Sequence, residues 1–540
     1  MARTPLFGFI ERSLRTAQAS LHNDIPIDEI TEMAAEHRLT RRSILAGGAA
    51  AAAALALPRC TVLPPARRDA PVIIAGAGLA GLTAGYRLRR AGTGVRIFEG
   101  QNRTGGRVLS LRGFFPEGQV AELGGELIDS GHVHVRALAA ELGITLDDLA
   151  ADDPSLQGDL WFFDGARRSE REVIEAFRPV AARIEAALES IGEEDVTYTR
   201  PGTAARLDRM TVARWLDEAG VTGWFRTLLD AGFTTEFGLE IDQQSALNLL
   251  TMIDPRPDPF RIYGESDERY HVRGGNDLIP AALAAALQDD IELNAVLRRI
   301  RRRGDGRVEC TFARGASTFT AAAEHAIVAI PFTMLRTVEI DLDLPPAKRR
   351  AIGELGYGTN AKLMTGFAER LWRTKYRSNG STLTDLPYQL TWETSRLQPG
   401  EPGILTNFTG GRQGLALGEG TPAERSAELA SQLDILYPGL ATLRRKEARM
   451  HWPTQPFVRG SYACYLPGQW TAIRGAEGEA AGNVHFAGEH CSLDAQGFME
   501  GGCETGERAA AEVQAALRPA AARLLSRRRA RIMRYAQTDV

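Results

Sequence analysis

The sequence predicts an α/β fold in which a parallel-sheet domain is interleaved with an α+β domain of mixed sheet and helices. A buried apolar strand, Val72 to Ala75, is followed by a glycine-rich turn, a helix and a second strand. Two apolar strands that come much later, 326–330 and 484–486, are typical of the same buried sheet. The segments between them carry helical periodicity over 132–264 and strand patterns over 360–408, which we assign to the second domain.

The first strand opens a βαβ unit with the glycine spacing of a dinucleotide-binding turn. Gly76 permits the tight turn, Gly78 lets the backbone approach a pyrophosphate, and Gly81 lets the helix pack closely on the strand. The helix N-terminus at Leu79–Ala80 directs its N–H groups at the phosphates. Glu99 ends the second strand, where it can accept hydrogen bonds from ribose hydroxyls. Glycines also serve ordinary turns, but all these features in register predict a Rossmann-type dinucleotide site.

Composition limits the classes of partner. The chain has 540 residues and a formal net charge of −4, which gives no reason to expect nucleic acid as a partner. The five cysteines show neither a CxxC pair nor metal-ligand spacing, so we expect no metal site.

Residues 1–69 precede the first predicted domain and contain an export motif. Arg41 and Arg42 are followed by a weakly hydrophobic, alanine-rich run, 46–57, as in twin-arginine signals. The alternative is an alanine-rich helix that happens to follow two arginines. The run is too short to form a stable membrane span, and the arginine before Cys60 argues against lipidation there. We predict a periplasmic or secreted protein, and retention in the cytoplasm after Arg41→Lys with Arg42→Lys is the test.

Two further motifs follow the ribose acid. Arg103 to Arg107 completes the spacing E-x-x-x-R-x-G-G-R, and Gly124-Gly125-Glu126 forms a second glycine motif. On these residues the sequence resembles the flavin amine oxidase family, which includes monoamine, polyamine and L-amino-acid oxidases. The resemblance implies that Arg107 neutralises phosphate or holds the isoalloxazine edge, and that the second glycine motif lies beside the flavin. The run from Gly124 to Ser130 looks most like bacterial L-amino-acid oxidases.

A third motif lies near the C-terminus, where a strand ends at Glu489 and Gly497, Phe498 and Met499 open a helix. Glu489 can bind ribityl or pyrophosphate-side hydroxyls, and the helix dipole favours the flavin edge that becomes anionic on reduction. Two helix N-termini and two strand-end acids suit FAD, whereas NAD alone would leave the second site unexplained. The resemblance also places the backbone amide of Val296 at the adenine.

The resemblance defines the domain boundaries and a basic C-terminal tail. The expected FAD-binding segments are 70–131, 265–345 and 452–516, the expected substrate-domain segments are 132–264 and 346–451, and the tail is 517–540.

Lys362 is the expected catalytic residue. It lies in an otherwise apolar strand, so its ammonium must find a partner or water. The resemblance implies that this lysine holds a water near flavin N5; the alternative is a surface lysine on an edge strand.

The substrate cavity is expected to be lined by aromatic residues, any of which can equally be plain core. The candidates are Tyr388, Trp392, Trp452, Tyr462, Tyr465 and Trp470. Monoamine oxidases attach flavin through a cysteine in the last of these stretches. The pattern here places Ser461, not Cys464, at that position, so we expect non-covalent FAD.

The resemblance implies that a carbon–nitrogen bond is oxidised by hydride transfer to flavin N5, with O2 as electron acceptor. The favoured substrate class is L-amino acids, giving 2-oxo acid, ammonia and hydrogen peroxide; the alternative is amines without a carboxylate. Animal amino-acid oxidases have a carboxylate-binding arginine where this chain has Leu127, so the carboxylate partner stays unidentified. A carotenoid-type desaturase and an FAD-bound scaffold are more distant alternatives, and a homodimer is left open.

Overall fold

The computed structural model describes residues 13, 14, 16–18, 20, 27, 70–192, 194–252 and 266–536. The predicted twin-arginine segment and Cys60 lie outside these residues, so export stays a prediction. No helix in the described part of the chain is long and apolar enough to cross a membrane.

The strands build a five-stranded, a four-stranded and a seven-stranded sheet and two two-stranded pairs. In chain order they are β1 Val72–Ala75, β2 Val95–Phe98, β3 Ser110–Leu111, β4 Ala121–Glu122, β5 Leu146–Asp148, β6 Leu160–Phe163, β7 Ala166–Arg168, β8 Tyr270–Val272, β9 Ile291–Glu292, β10 Val296–Arg302, β11 Val308–Arg314, β12 Ser317–Ala323, β13 His325–Val328, β14 Glu339–Asp341, β15 Ala361–Phe367, β16 Thr382–Thr384, β17 Leu390–Glu393, β18 Gly403–Thr409, β19 Arg444–His451 and β20 Val484–Phe486.

The α-helices connect and cover these sheets. In chain order they are α1 Leu79–Arg90, α2 Val133–Glu141, α3 Glu170–Ile191, α4 Ala205–Asp208, α5 Val212–Glu218, α6 Gly223–Phe237, α7 Ala246–Leu250, α8 Leu278–Ala286, α9 Phe332–Leu335, α10 Pro346–Glu354, α11 Leu371–Thr374, α12 Gly411–Ala416, α13 Pro422–Leu436 and α14 Met499–Ala536.

The five-stranded sheet is the parallel sheet that the sequence predicts. Its order is β20-β13-β1-β2-β9, and every pairing is parallel. All four residues of β1 are buried, because a central parallel strand is covered on both faces. The late strands β13 and β20 return to this sheet, and the α/β fold class is confirmed.

The stretch 291–296 contributes to two different sheets. β9 ends at Glu292 and belongs to the parallel sheet, whereas β10 begins at Val296 and belongs to the four-stranded sheet β12-β11-β10-β14. Asn294 between them has a φ of 56°, a left-handed conformation that turns the chain and ends regular strand geometry.

The seven-stranded sheet has the order β19-β15-β18-β17-β16-β6-β7. Its last two strands come from the segment 132–264, for which helical patterns dominate. They form a hairpin because Asp164 and Gly165, with φ of 56° and 66°, supply the two left-handed residues of a tight turn. This Asp-Gly pair between apolar residues is a sequence signal that helical periodicity conceals.

Two helices of the same segment behave differently. α3 is one of the helices that the periodicity over 132–264 predicts, and Ser169 and Glu172 form a capping box at its start. α2 buries Val135 and Leu138 in the core that contains β1. By packing, α2 therefore belongs to the parallel-sheet domain, although the predicted boundary at 132 precedes it.

Candidate active site

One cavity lies between the parallel sheet and the seven-stranded sheet. The parallel sheet contributes the residues just beyond its strand ends, such as Glu99 after β2 and Glu489 after β20. The seven-stranded sheet contributes Lys362, Trp392 and Phe408 from β15, β17 and β18. Ligands of open parallel sheets bind at the carboxyl ends of the strands, so this cavity is the candidate active site.

The glycine-rich turn forms one wall of the cavity. Gly76 has a φ of 106°, and a Cβ there would lie 2.5 Å from the carbonyl oxygen of Ala329. A Cβ on Gly81 would lie 2.0 Å from the carbonyl oxygen of Gly76, so Gly81 packs behind the turn and does not line the cavity. No side chain in the described structure caps the start of α1. Its first N–H groups are therefore available to a pyrophosphate.

Glu99 lies at the end of this wall. Its carboxylate accepts hydrogen bonds from the backbone N–H groups of Ala77 at 2.7 Å and Gln101 at 2.8 Å. Burial raises the pKa of Glu99 above its ordinary value, against the effect of these two bonds. Each oxygen retains a lone pair, so the carboxylate is able to accept ribose hydroxyls as the sequence predicts.

Arg107 does not act as a free cation. Its Nη1 lies 2.8 Å from Glu489 Oε1 and donates to the carbonyl oxygen of Ser461 at 2.6 Å. The other carboxylate oxygen of Glu489 accepts from the backbone N–H of Gly497 at 2.9 Å. The sequence predicts that Arg107 and Glu489 each face the cofactor; the structure joins them into one ion pair that lines the cavity.

The remaining predicted cofactor residues also line the cavity. They are Gly78, Leu79, Ala80, Gly124, Gly125, Glu126, Val296, Gly497, Phe498 and Met499. A Cβ on Gly125 would lie 3.0 Å from Met499 Sδ, so the second glycine motif and the start of α14 touch. Uncapped helix N–H groups, a strand-end acid and two glycine cradles in one cavity fit FAD.

None of the four cysteines in the described part of the chain lines the cavity, whereas Ser461 does. Cys464, three residues further on, is buried in the core. This arrangement offers no thiol to a flavin and agrees with non-covalent binding.

The six aromatic candidates separate into two groups. Trp392, Trp452 and Tyr462 line the cavity, but the other three do not. Tyr388 is buried in the core beneath β16, where its hydroxyl accepts from Thr382 Oγ1 at 3.1 Å. The rings of Tyr465 and Trp470 pack against each other at a tilt of 53°, with centroids 5.2 Å apart. These three lie in or against the hydrophobic core, because tertiary packing, which sequence spacing does not fix, decides which aromatic side chains face the cavity.

Lys362 lies in the cavity wall with all its donors directed at the protein. Its Nζ lies 2.7 Å from Glu126 Oε2, 2.8 Å from the carbonyl oxygen of Gly124 and 3.3 Å from that of Glu122. It is only 4% exposed, which excludes the surface alternative. The partner that a buried ammonium requires is Glu126, which the sequence assigns to the cofactor.

Two carboxylates that the sequence reasoning missed also line the cavity, Asp129 and Glu268. Asp129 is 1% exposed, and its Oδ1 accepts from the backbone N–H of Glu268 at 2.7 Å. Burial raises the pKa of Asp129 to about 7 and raises the pKa of Glu268 well above its ordinary value. Burial also lowers the pKa of the neighbouring His132 to about 3, so His132 is neutral and does not offset Asp129. Asp129 lies three residues after Glu126, the last residue of the second glycine motif. An acid so close to this motif was the feature of the sequence that could have identified Asp129 as a site residue.

Similarity to known proteins agrees with this site. The chain matches the family model described as flavin containing amine oxidoreductase over residues 79–514. A Mycobacterium tuberculosis protein named as a flavin-containing monoamine oxidase is 30% identical over 471 residues, covering 85% of this chain and 100% of that protein. An L-amino acid dehydrogenase of Synechocystis is 27% identical over 472 residues, covering 84% and 96%. The structure of cyclohexylamine oxidase from Brevibacterium oxydans shares the fold, with a TM-score of 0.73 and 24% identity over 83% of this chain and 100% of that chain.

Proposed function

The chain belongs to the flavin-containing amine oxidoreductase family, whose cofactor is FAD, and we propose that it oxidises small amines that carry no carboxylate on the reacting carbon. O2 is the proposed electron acceptor, with hydrogen peroxide as product. The sequence favours L-amino acids, and the charges of the cavity favour this alternative.

The balance of charge in the cavity carries the proposal. Among the described residues, the cationic side chains that line it are Arg107 and Lys362. Each is already paired, with Glu489 at 2.8 Å and with Glu126 at 2.7 Å. A substrate carboxylate would have to displace one of these acids and would also meet Asp129 and Glu268. An ammonium group would be attracted by the acids of the cavity and would meet cations that are already paired with acids.

The residues of the cavity also suit the proton chemistry of an amine. When bound, FAD would supply the acceptor for a hydride from the carbon beside nitrogen, and this chemistry requires the neutral amine. A base must therefore remove the ammonium proton, and a pKa near the working pH suits a base. Asp129, with its pKa of about 7, is the residue that we assign to this proton. The rings of Trp392, Trp452 and Tyr462 exclude water from the cavity.

L-amino acids are the second candidate, since specific similarities favour them. The Synechocystis relative is named an L-amino acid dehydrogenase, and a Siganus canaliculatus relative named L-amino-acid oxidase is 26% identical over 476 residues. The run from Gly124 to Ser130 supports the same candidate.

Matched substrate pairs separate the two candidates. Anaerobic flavin reduction is measured with phenylalanine and phenethylamine, leucine and isoamylamine, and lysine and cadaverine. We expect each amine to reduce the flavin at least about tenfold faster than its amino acid, equivalent to about 1.4 kcal/mol. In Asp129→Asn this preference should shrink, because one acid that repels the carboxylate is gone. Faster reduction by all three amino acids would establish the second candidate instead.

A further inference from the structure

We propose that Glu126 is a positioning residue for Lys362, which fixes the ammonium in the cavity wall beside the Gly124–Gly125 backbone. The inference rests on the flavin chemistry of the family and not on the choice between amines and amino acids. It reassigns a residue that the sequence places against the cofactor.

The ammonium group is saturated by protein acceptors. A lysine offers three N–H donors, and the acceptors around Nζ are the carboxylate of Glu126 and the carbonyl oxygens of Gly124 and Glu122. The two closest lie at 2.7 Å and 2.8 Å, and the third lies at 3.3 Å. Only the longest bond is weak enough to yield to a water, so Glu126 and Gly124 determine where the charge lies.

The carboxylate of Glu126 is itself fixed from the other side. Its Oε1 accepts from Trp392 Nε1 at 2.8 Å and from Thr394 Oγ1 at 2.7 Å. Oε2 is left to Lys362. The side chain of Glu126 is 7% exposed and that of Lys362 is 6% exposed, so neither group can exchange its partner for bulk water.

Electrostatics maintain the pair in its charged form. Burial alone would raise the pKa of Glu126, but the Lys362 ammonium and the hydrogen bonds from Lys362, Trp392 and Thr394 hold it below its ordinary value. A cation in a dry cavity without such a partner favours its neutral form. Glu126 therefore stabilises positive charge beside the Gly124–Gly125 backbone, which lines the cofactor cavity.

The test compares Glu126→Gln with a matched control in the same sheet. Glu393 is also a buried carboxylate that accepts a tryptophan Nε1–H and pairs with a cation, Arg373, but it does not line the cavity. Holoenzymes are photoreduced and mixed with O2 from about pH 6 to 9, so no substrate is needed. The flavin midpoint potential is measured over the same range.

In Glu126→Gln, reoxidation should slow at least about tenfold relative to wild type, and the flavin potential should fall, because the ammonium is no longer fixed in the cavity wall. Glu393→Gln should keep the wild-type rate and potential. Glu126→Asp should recover most of the wild-type profile. A Glu126→Gln profile that matches Glu393→Gln, with only a lower thermal midpoint, would reduce Glu126 to a structural residue and overturn the proposal.

A double-variant cycle keeps the proposal testable where Glu126→Gln alone folds poorly. If Glu126 acts through Lys362, Glu126→Gln should cause no further slowing of reoxidation and no further fall of the potential in the Lys362→Met background, because the cation that Glu126 positions is already absent. The same fold-change in both backgrounds would show that Glu126 acts on the flavin directly. The reoxidation rate and the flavin potential are measured without substrate, so a failure of the amine proposal would leave both unchanged.

Discussion

The strand β17 contributes to two similar side-chain clusters, one on each face of its sheet, and the two clusters have different roles. Trp392 and Glu393 are neighbours on it, and successive side chains of a strand point to opposite faces. On one face, Trp392 donates to Glu126, which pairs with Lys362. On the other, Glu393 accepts from Trp372 Nε1 at 2.7 Å and pairs with Arg373.

Both clusters therefore combine a buried carboxylate, an indole N–H and a cation, but only one lines the cavity. The back-face cation is also held by Asp152 at 2.7 Å, and Ser395 Oγ donates to Glu393 at 2.9 Å. Residue types alone do not separate a functional cluster from a structural one. The position of the cluster relative to the cavity separates them, and the following variants test that separation.

Glu393→Ala should have the largest effect, and on stability alone. It removes the acceptor of Trp372 Nε1 and the fully buried carboxylate that pairs with Arg373 and Arg370, and it leaves Arg373 with Asp152 alone. We expect a loss of about 3–5 kcal/mol, which lowers the thermal midpoint of a domain by about 6–20 °C. Reoxidation per bound flavin should be unchanged below the transition. Slower reoxidation by the folded variant would break the distinction between the two faces.

Lys362→Met should have the next largest effect, and on rate. The methionine retains the length of the side chain and removes the charge that stabilises negative charge on reduced flavin and oxygen. Reoxidation should slow by roughly ten- to a thousandfold, if the charge contributes about 1.4–4 kcal/mol. Flavin reduction by substrate should slow less.

Lys362→Met also leaves the carboxylate of Glu126 without its cation. The measurement is therefore repeated in the Glu126→Gln background. Stopped-flow absorbance separates the two half-reactions. Equal slowing of both would indicate a general loss of site geometry and would place this cluster with the structural one.

The local parts of this arrangement follow from the sequence. The βαβ unit and the three cofactor motifs depend on spacings within a few residues, and the structure has them where they are predicted. The family, the fold class and FAD are confirmed. These are features that short-range chemistry determines.

The pairings across the chain could not be predicted. Lys362 and Glu126 are 236 positions apart, and nothing in either stretch specifies the other. The same holds for Arg107 with Glu489. Asp129 and Glu268 were missed because burial, which only the folded chain provides, is the main cause of their raised pKa values.

The paired variants Trp392→Phe and Trp372→Phe should have the smallest effects and the most direct bearing on the comparison. Each removes one indole N–H from a buried carboxylate and keeps an aromatic ring in place. A hydrogen bond to a charged group contributes about 1.5–3 kcal/mol, and the remaining donors, Thr394 and Arg373, should reduce the loss.

Trp372→Phe should lower the thermal midpoint by a few degrees and leave the flavin unaffected. Trp392→Phe should slow reoxidation about two- to tenfold, because a less tightly held Glu126 fixes Lys362 less firmly. An exchange of these two outcomes would mean that the distance to the cavity does not separate the clusters, and that both faces of β17 act on the flavin through the sheet.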